Sequence, residues 1–240
     1  MKVDKVIFAC DDNAMYKDFW KLSATVCKAK LGVTPVLFHI TNEDSDFFED
    51  EYGLVKKIKR VDNINTGFQS QLVRMWGCSL LPNDVCLTSD IDMLMINKDY
   101  FITSVEQYDN DSFVIYTSDA YGGDKSRFPI CYNASLGINY KNILGCENNF
   151  SDYCRRLQTF SSGWSCDEQY FTNRIKMANY SKMIYLNRGW DAQTIATRRI
   201  DRVRWGYDSN IINDYIDCHC IRPYNENKAE LDKLIEIILK

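Results

Sequence analysis

Short apolar runs alternate with longer segments of helical periodicity through the first hundred residues. The runs predict strands over residues 5–10, 35–40 and 54–59, followed by a fourth strand that carries Asp90 and Asp92. Gly32 and Pro82 are typical of residues that end helices. The two helical segments between the strands have their apolar residues at Phe19, Leu22, Val26 and Ala29, and at Phe68, Leu72, Met75, Trp76 and Leu80.

The second half of the chain is less regular. It predicts strands over residues 113–117 and 183–186 and a closing helix over 227–239. The alternation of strands and helices predicts an α/β fold: one Rossmann-like domain over residues 1–240, with a mostly parallel central sheet and helices on both faces. Ligands bind such sheets beyond the carboxyl ends of the strands, so the polar residues at 11–13 and the later acid pair should meet in one crevice.

Composition and charge narrow the classes of partner. With 240 residues, 45% of them hydrophobic and 26% charged, the chain is typical of a soluble globular protein, and its net charge of -4 argues against nucleic acid as a partner. Met1 leads directly into a short strand, so we expect neither a signal peptide nor a membrane span, and hence a cytoplasmic location. The ten cysteines are scattered without a Cys-x-x-Cys pair, and we expect reduced thiols.

Asp90 and Asp92 stand one residue apart inside an otherwise apolar run. Two neighbouring carboxylates in apolar surroundings repel each other and are costly to bury, so the pattern indicates a cation that holds them. Oxygen ligands favour Mg or Mn, which keep coordination positions for substrate phosphates. The sequence therefore predicts a metal site that takes a diphosphate.

This segment, with Leu80-Leu81-Pro82-Asn83-Asp84 before it, resembles the Asp-x-Asp motif of GT-A glycosyltransferases. Three later segments match in order and are most similar to the glycogenin-like, retaining branches. Residues 131–137 resemble a Phe-Asn-Ser-Gly segment with Ala134 inserted; residues 167–173 resemble Asp-Gln-x-x-x-Asn; and residues 219–224 resemble a His…Lys-Pro-Trp segment in which Arg222 replaces the lysine and the loop is shorter. The chain also resembles nucleotide-sugar transferases encoded by large algal viruses.

The resemblance implies a role for each candidate residue. Asp90, Asp92 and His219 would hold Mn or Mg, Arg222 would bind the diphosphate, and Glu168 and Asp167 would act at the donor sugar or on the acceptor. The nucleotide would lie along Ala9, Cys10, Asp12, Asn13, Tyr16, Arg74 and Ile91. The donor sugar would contact Asp119, Asn133, Ser135 and Gln169, and the acceptor would contact Trp164 and Trp190. Residues 1–100 would form the nucleotide-binding half and residues 101–240 the donor-sugar and acceptor half.

Several of these residues have a structural alternative of similar weight. Residues 11–13 could cap the first helix, Arg74 could be a solvated surface residue, and Asp119 could cap a turn. For Trp164 and Trp190, packing in the core or at its rim is the commoner role. His39 is better explained as a structural histidine, and the arginine run is more typical of a solvated face. A zinc site at His219 is disfavoured, because strand alternation points its cysteine neighbours away from the imidazole. The arginine run comprises Arg198, Arg199, Arg202 and Arg204.

The activity implied is transfer of a hexose or deoxyhexose from a UDP-sugar to a hydroxyl group of a glycan or glycoprotein, with Mn or Mg and with retention favoured over inversion. A Mg-dependent phosphohydrolase is one competitor, but residues 11–14 after the first strand lack the nucleophilic acid pattern of the haloacid dehalogenase type. A non-catalytic module that binds nucleotide-sugars is the other. Turnover of a UDP-sugar separates the transferase from both.

Overall fold

A computed structural model describes residues 1–121, 126–146, 148–160, 163–187 and 199–240 of the chain. Its strands, β1 to β11 in chain order, are Lys5–Asp11, Thr34–Thr41, Phe48–Glu49, Leu54–Lys59, Val85–Thr88, Met93–Met95, Phe113–Ile115, Asn133–Leu136, Met183–Tyr185, Arg199–Asp201 and Asp217–His219. Eight of them form one sheet in the order β3-β4-β2-β1-β5-β8-β7-β9, and the order β10-β11-β6 forms a second, small sheet.

The helices of the described residues, α1 to α7, are Phe19–Val26, Thr66–Cys78, Lys98–Phe101, Gly137–Leu144, Phe150–Phe160, Cys166–Ala178 and Tyr224–Ile238. Their buried residues form two hydrophobic clusters, one on each face of the large sheet. The first cluster contains the apolar residues of α1 and α7. The second contains those of α2, α4, α5 and α6. The predicted α/β architecture, with helices on both faces of a central sheet, is confirmed.

In the centre of the large sheet, the parallel strands β1 and β5 have their carboxyl ends on the same side. β1 pairs in parallel with both β2 and β5, whereas β8 is antiparallel to β5 and to β7. Ile7 lies opposite Thr88, and the backbone N–H of Ser89 donates to the carbonyl of Ile7 at 3.0 Å. Asp11 is the last residue of β1, so the segment that follows β5 emerges beside it, as expected for ligand-binding edges of parallel sheets.

Two details of the predicted elements are wrong. Ala29 is exposed, because α1 continues into a π-helical turn, Cys27–Leu31, whose wider winding rotates the later side chains and buries Cys27 and Leu31 instead. Gly32 then ends the helix with a φ of 69°. The acid pair also lies outside any strand: β5 ends at Thr88 and β6 begins at Met93, so the pair occupies the turn between them.

All ten cysteines are free thiols, as predicted. Among the described residues, no helix is both long and apolar enough to cross a bilayer.

Candidate functional site

A cavity of about 810 Å³ opens where β1 and β5 end. It collects residues from the N-terminal strand, from α2, from the β5–β6 turn, from the start of α6 and from the C-terminal segment. Most of the residues predicted from the sequence line it, which supports their assignment to one site. These are Ala9, Cys10, Asn13, Tyr16, Arg74, Asp90, Ile91, Asp92, Trp164, Asp167, Glu168, His219 and Arg222.

Asp92 is the buried acid of this cleft, with an exposed fraction of 4%. One of its oxygens, Oδ2, lies 3.5 Å from Nε2 of His219, 3.5 Å from Nε of Arg222 and 3.2 Å from Nη1 of Arg202. Burial opposes ionisation of Asp92, but His219, Arg222 and Arg202 outweigh it and lower the pKa of this carboxyl group. Asp92 is therefore a carboxylate at neutral pH, held by three nitrogen groups.

The backbone fixes the position of this cluster. β11 runs antiparallel to β6, which sets His219 opposite Met93, and the backbone N–H of Cys220 donates to the carbonyl of Asp92 at 2.9 Å. Alternation along β11 leaves His219 facing the cleft while both neighbouring cysteines are fully buried. The predicted separation of the imidazole from the two thiols is confirmed.

Arg74 connects the acid pair to α6. This arginine is only 8% exposed; one nitrogen, Nη1, forms an ion pair with Oδ1 of Asp90, and the other, Nη2, lies 3.2 Å from Oδ2 of Asp167. Burial of Asp167 raises the pKa of its carboxyl group, and Arg74 offsets this only in part. Arg74 is thus a buried link between two acids and not a solvated surface residue.

Glu168 follows Asp167 in the first turn of α6 and presents its carboxylate to the cleft. Its Oε1 accepts a hydrogen bond from the Tyr121 hydroxyl at 2.6 Å, and its Oε2 lies 3.7 Å from Nη1 of Arg127, whose guanidinium stacks 4.1 Å from the Tyr121 ring centre. Burial raises the pKa of Glu168, and the Tyr121 hydroxyl and the Arg127 guanidinium offset part of this increase. A carboxylate held in this way can orient sugar hydroxyls or accept a proton.

The donor set at the acid pair fits Mg or Mn in its chemistry, with carboxylate oxygens and one imidazole nitrogen. Asp92 and His219 already face each other, whereas Asp90 is half-exposed and engaged by Arg74. Among the described residues, no group of three or more histidine, cysteine or acidic side chains is arranged ready to hold a metal. Asp90 would join Asp92 and His219 as a metal ligand only if its ion pair with Arg74 were replaced by a contact with the metal ion.

Five of the residues predicted to contact the substrate do not line the cleft. Asp12 pairs with Nε2 of His39 at 2.9 Å, and its neighbour Asp11 faces the cavity instead. Gln169 is exposed on α6 and donates to the Ser165 hydroxyl. Asp119, Asn133 and Ser135 are likewise outside the cavity lining. Trp190 and Arg198 lie outside the described residues.

Asn133 and Ser135 are buried, and their side chains bond to backbone. The Asn133 amide donates to the carbonyls of Pro129 and Ile130 at 2.8 and 2.7 Å, and the Ser135 hydroxyl donates to the carbonyl of Ser112 at 2.8 Å. Pro129 and Ile130 line the cavity. Asn133 therefore holds, through its side-chain amide, the backbone of two residues that line the cleft.

The sequence favoured a solvated face for Arg199 and Arg202, whereas the structure places both in the lining of the cavity. Arg199 is held by Asp217, a fully buried acid that accepts two of its N–H groups at 2.8 and 2.6 Å and the Tyr132 hydroxyl at 2.8 Å. The available signal was Asp217 itself, two residues before His219: an acid inside a buried strand requires a cationic partner. Arg202 follows Arg199 by three residues and reaches Asp92.

The chain resembles two solved structures over its full length. One is the glycosyltransferase GlyE of Streptococcus pneumoniae TIGR4, with 11% identity and a TM-score of 0.51, and the other is the apo form of GlyE, with 12% identity and a TM-score of 0.50. The chain spans 62% of the length of each. No protein-family profile and no curated protein sequence matches it. At these identities the similarity establishes the fold alone.

Proposed function

We propose that the protein is a glycosyltransferase that moves a hexose or deoxyhexose from a UDP-sugar to a hydroxyl group of a glycan or glycoprotein. The observation that carries the proposal is the cluster on Oδ2 of Asp92, where His219, Arg202 and Arg222 meet in the cleft. One buried carboxylate with two arginines and an imidazole is suited to a diphosphate and its cation. The neighbouring Glu168 supplies a carboxylate for the sugar.

The nucleotide would occupy the cleft at the end of β1. Ala9, Cys10 and Asn13 line this part, and the Tyr16 hydroxyl accepts a hydrogen bond from Nη1 of Arg222. The Arg222 guanidinium also lies 5.0 Å from the Tyr16 ring centre. Tyr16 therefore couples the nucleoside part of the cleft to the arginine that would contact the phosphates.

Departure of the diphosphate requires stabilisation of negative charge. When the bond between the anomeric carbon and the phosphate oxygen breaks, its electron pair stays on that oxygen. Arg202 and Arg222 would donate hydrogen bonds to the diphosphate and stabilise its negative charge. A bound Mn or Mg, held by Asp92 and His219 with Asp90, would add Lewis acidity at the same place. Charge that develops only during bond breaking makes these contacts stronger in the transition state than in the ground state.

On the sugar side, we favour retention of the anomeric configuration. In a front-face substitution the acceptor oxygen bonds to the anomeric carbon while its proton passes to the departing phosphate oxygen, so no separate base is needed. Glu168, as a carboxylate, would accept hydrogen bonds from donor hydroxyls and stabilise the oxocarbenium-like sugar. Asp167, bound to Arg74, would position the start of α6 and keep Arg74 in place.

UDP release from a panel of UDP-sugars, with Mn and with glycan acceptors, tests the proposal. Asp92→Asn keeps the shape of the side chain and removes its charge, so we expect UDP release to fall by about a hundredfold. Asp152→Asn removes an exposed acid on α5 outside the cleft and should leave the rate unchanged. Tight UDP binding without release from any donor would instead support a non-catalytic binding module.

A further inference from the structure

A second, smaller groove of about 220 Å³ adjoins the cleft. Asn65, Gln71 and Trp164 line both the groove and the cleft, so the two are neighbours. The groove lies between the start of α2 and the segment that leads into α6. A molecule bound there would therefore lie next to the cleft in which the donor sugar is expected.

The groove combines an aromatic surface with side-chain amides. Trp164 is 76% exposed, which is unusual for a tryptophan, and Phe68 lies in the same groove. Asn65, Gln71 and Gln158 provide amide groups, each of which carries both donors and acceptors. None of the described residues that line the groove is charged.

Two hydrogen bonds fix the backbone at the exposed tryptophan. The Gln71 side chain donates from Nε2 to the carbonyl of Trp164 at 3.1 Å, which ties the segment to α2. The backbone N–H of Cys166 donates to the carbonyl of Gly163 at 3.0 Å and closes the turn before α6. The main chain thus presents the Trp164 ring at the groove, four residues before Glu168.

We propose that this groove binds a neutral sugar ring of the acceptor, an inference that rests on the proposed function. A pyranose presents C–H groups on one face, which pack on an aromatic ring, and hydroxyl groups around its rim, which pair with amides. Because the groove offers no charge, a phosphorylated or acidic sugar would lose hydration without gaining an ion pair. The acceptor hydroxyl would then face the cleft through the shared residues.

Saturation-transfer NMR with neutral methyl hexopyranosides, and with glucose 6-phosphate as the charged comparator, tests this inference on the intact protein. We expect the wild type to transfer saturation to at least one neutral glycoside and less to the phosphate. Trp164→Ala should weaken the affinity about fivefold, whereas Trp164→Phe, which keeps a ring, should restore most of it. Met177→Ala changes another exposed apolar residue, 75% exposed on α6, and should have no effect.

UDP binding by the same wild-type sample separates the two proposals. A protein that binds UDP but transfers saturation to none of the glycosides refutes the acceptor groove and leaves the transferase proposal in place. Equal glycoside binding by the wild type and by Trp164→Ala refutes it as well. A protein that binds glycosides through Trp164 but does not bind UDP contradicts the proposed function instead.

Discussion

Among single residues, Tyr121 favours the ionised form of Glu168 against the effect of burial. Burial raises the pKa of Glu168, so the carboxylate forms only above that raised value, and activity that needs the carboxylate should increase with pH through it. The Tyr121 hydroxyl, 2.6 Å from Oε1, favours the carboxylate. Tyr121→Phe removes this donor, so the pKa of Glu168 rises further and the acidic limb of the pH profile of UDP release moves to higher pH.

The profile of kcat/KM against pH measures this shift, and it distinguishes an ionisation effect from a general loss of activity. Tyr185→Phe is the matched control, because Tyr185 is 51% exposed and is not among the residues that line the cleft. A Tyr121→Phe variant with a lower rate but an unmoved acidic limb would mean that Tyr121 contributes through packing and leaves the ionisation of Glu168 unaffected.

At the scale of elements, Gly137 joins α4 to the end of α2. A Cβ on this residue would lie 2.2 Å from the carbonyl oxygen of Leu81 and 2.3 Å from that of Cys78, and backbone atoms cannot rotate away. Gly137→Ala should therefore cost about 1–3 kcal/mol of the free energy of unfolding, as overpacking does elsewhere. Urea denaturation measures it, and Gly206→Ala, whose Cβ would meet nothing within 4 Å, is the control.

Equal stability of the Gly137→Ala and Gly206→Ala variants would contradict this packing account. The result bears on function, because Gly137 matches the glycine of a motif that the resemblance associates with the donor sugar. Its close approach to α2 gives a reason for the glycine that involves no ligand. The same holds for Asn133 and Ser135, which bond to backbone and line no part of the cleft.

The hydrophobic pattern predicted the early strands because a short, continuous apolar run bounded by polar residues is typical of a strand buried on both faces, and all residues of β1 after Lys5 are buried. Parallel strand ends and motif order were enough to place Asp92 and His219 together. The pattern could not assign Arg199 and Arg202, since an arginine run is typical of a solvated face and it is the pairing of β10 with β11 that sets Arg199 beside Asp217. The location of these two arginines depends on contacts between distant strands, which the local sequence does not specify.

At the scale of the whole molecule, the cleft gathers charges from distant parts of the chain. Tyr16 follows β1, Asp92 lies near the middle and Arg222 precedes α7. The described lining residues include equal numbers of arginines and carboxylates, namely Arg74, Arg127, Arg199, Arg202 and Arg222 against Asp11, Asp90, Asp92, Asp167 and Glu168. The cleft is therefore close to neutral, although the whole chain carries a net charge of -4.

This balance predicts that the metal and the diphosphate bind together more tightly than either binds alone. If Mn binds alone at Asp92, the positive charges of Arg202 and Arg222 repel it. If UDP binds alone, its phosphates compete with Asp92 for these two arginines. When Mn and UDP bind together, the cation pairs with the Asp92 carboxylate and the phosphates pair with the two arginines, so no buried charge is left unpaired. Calorimetry should show that UDP raises the affinity for Mn and, by linkage, that Mn raises the affinity for UDP by the same factor. The coupling should disappear in Asp92→Asn, and independent binding of Mn and UDP to the wild type would rule out a shared site at Asp92.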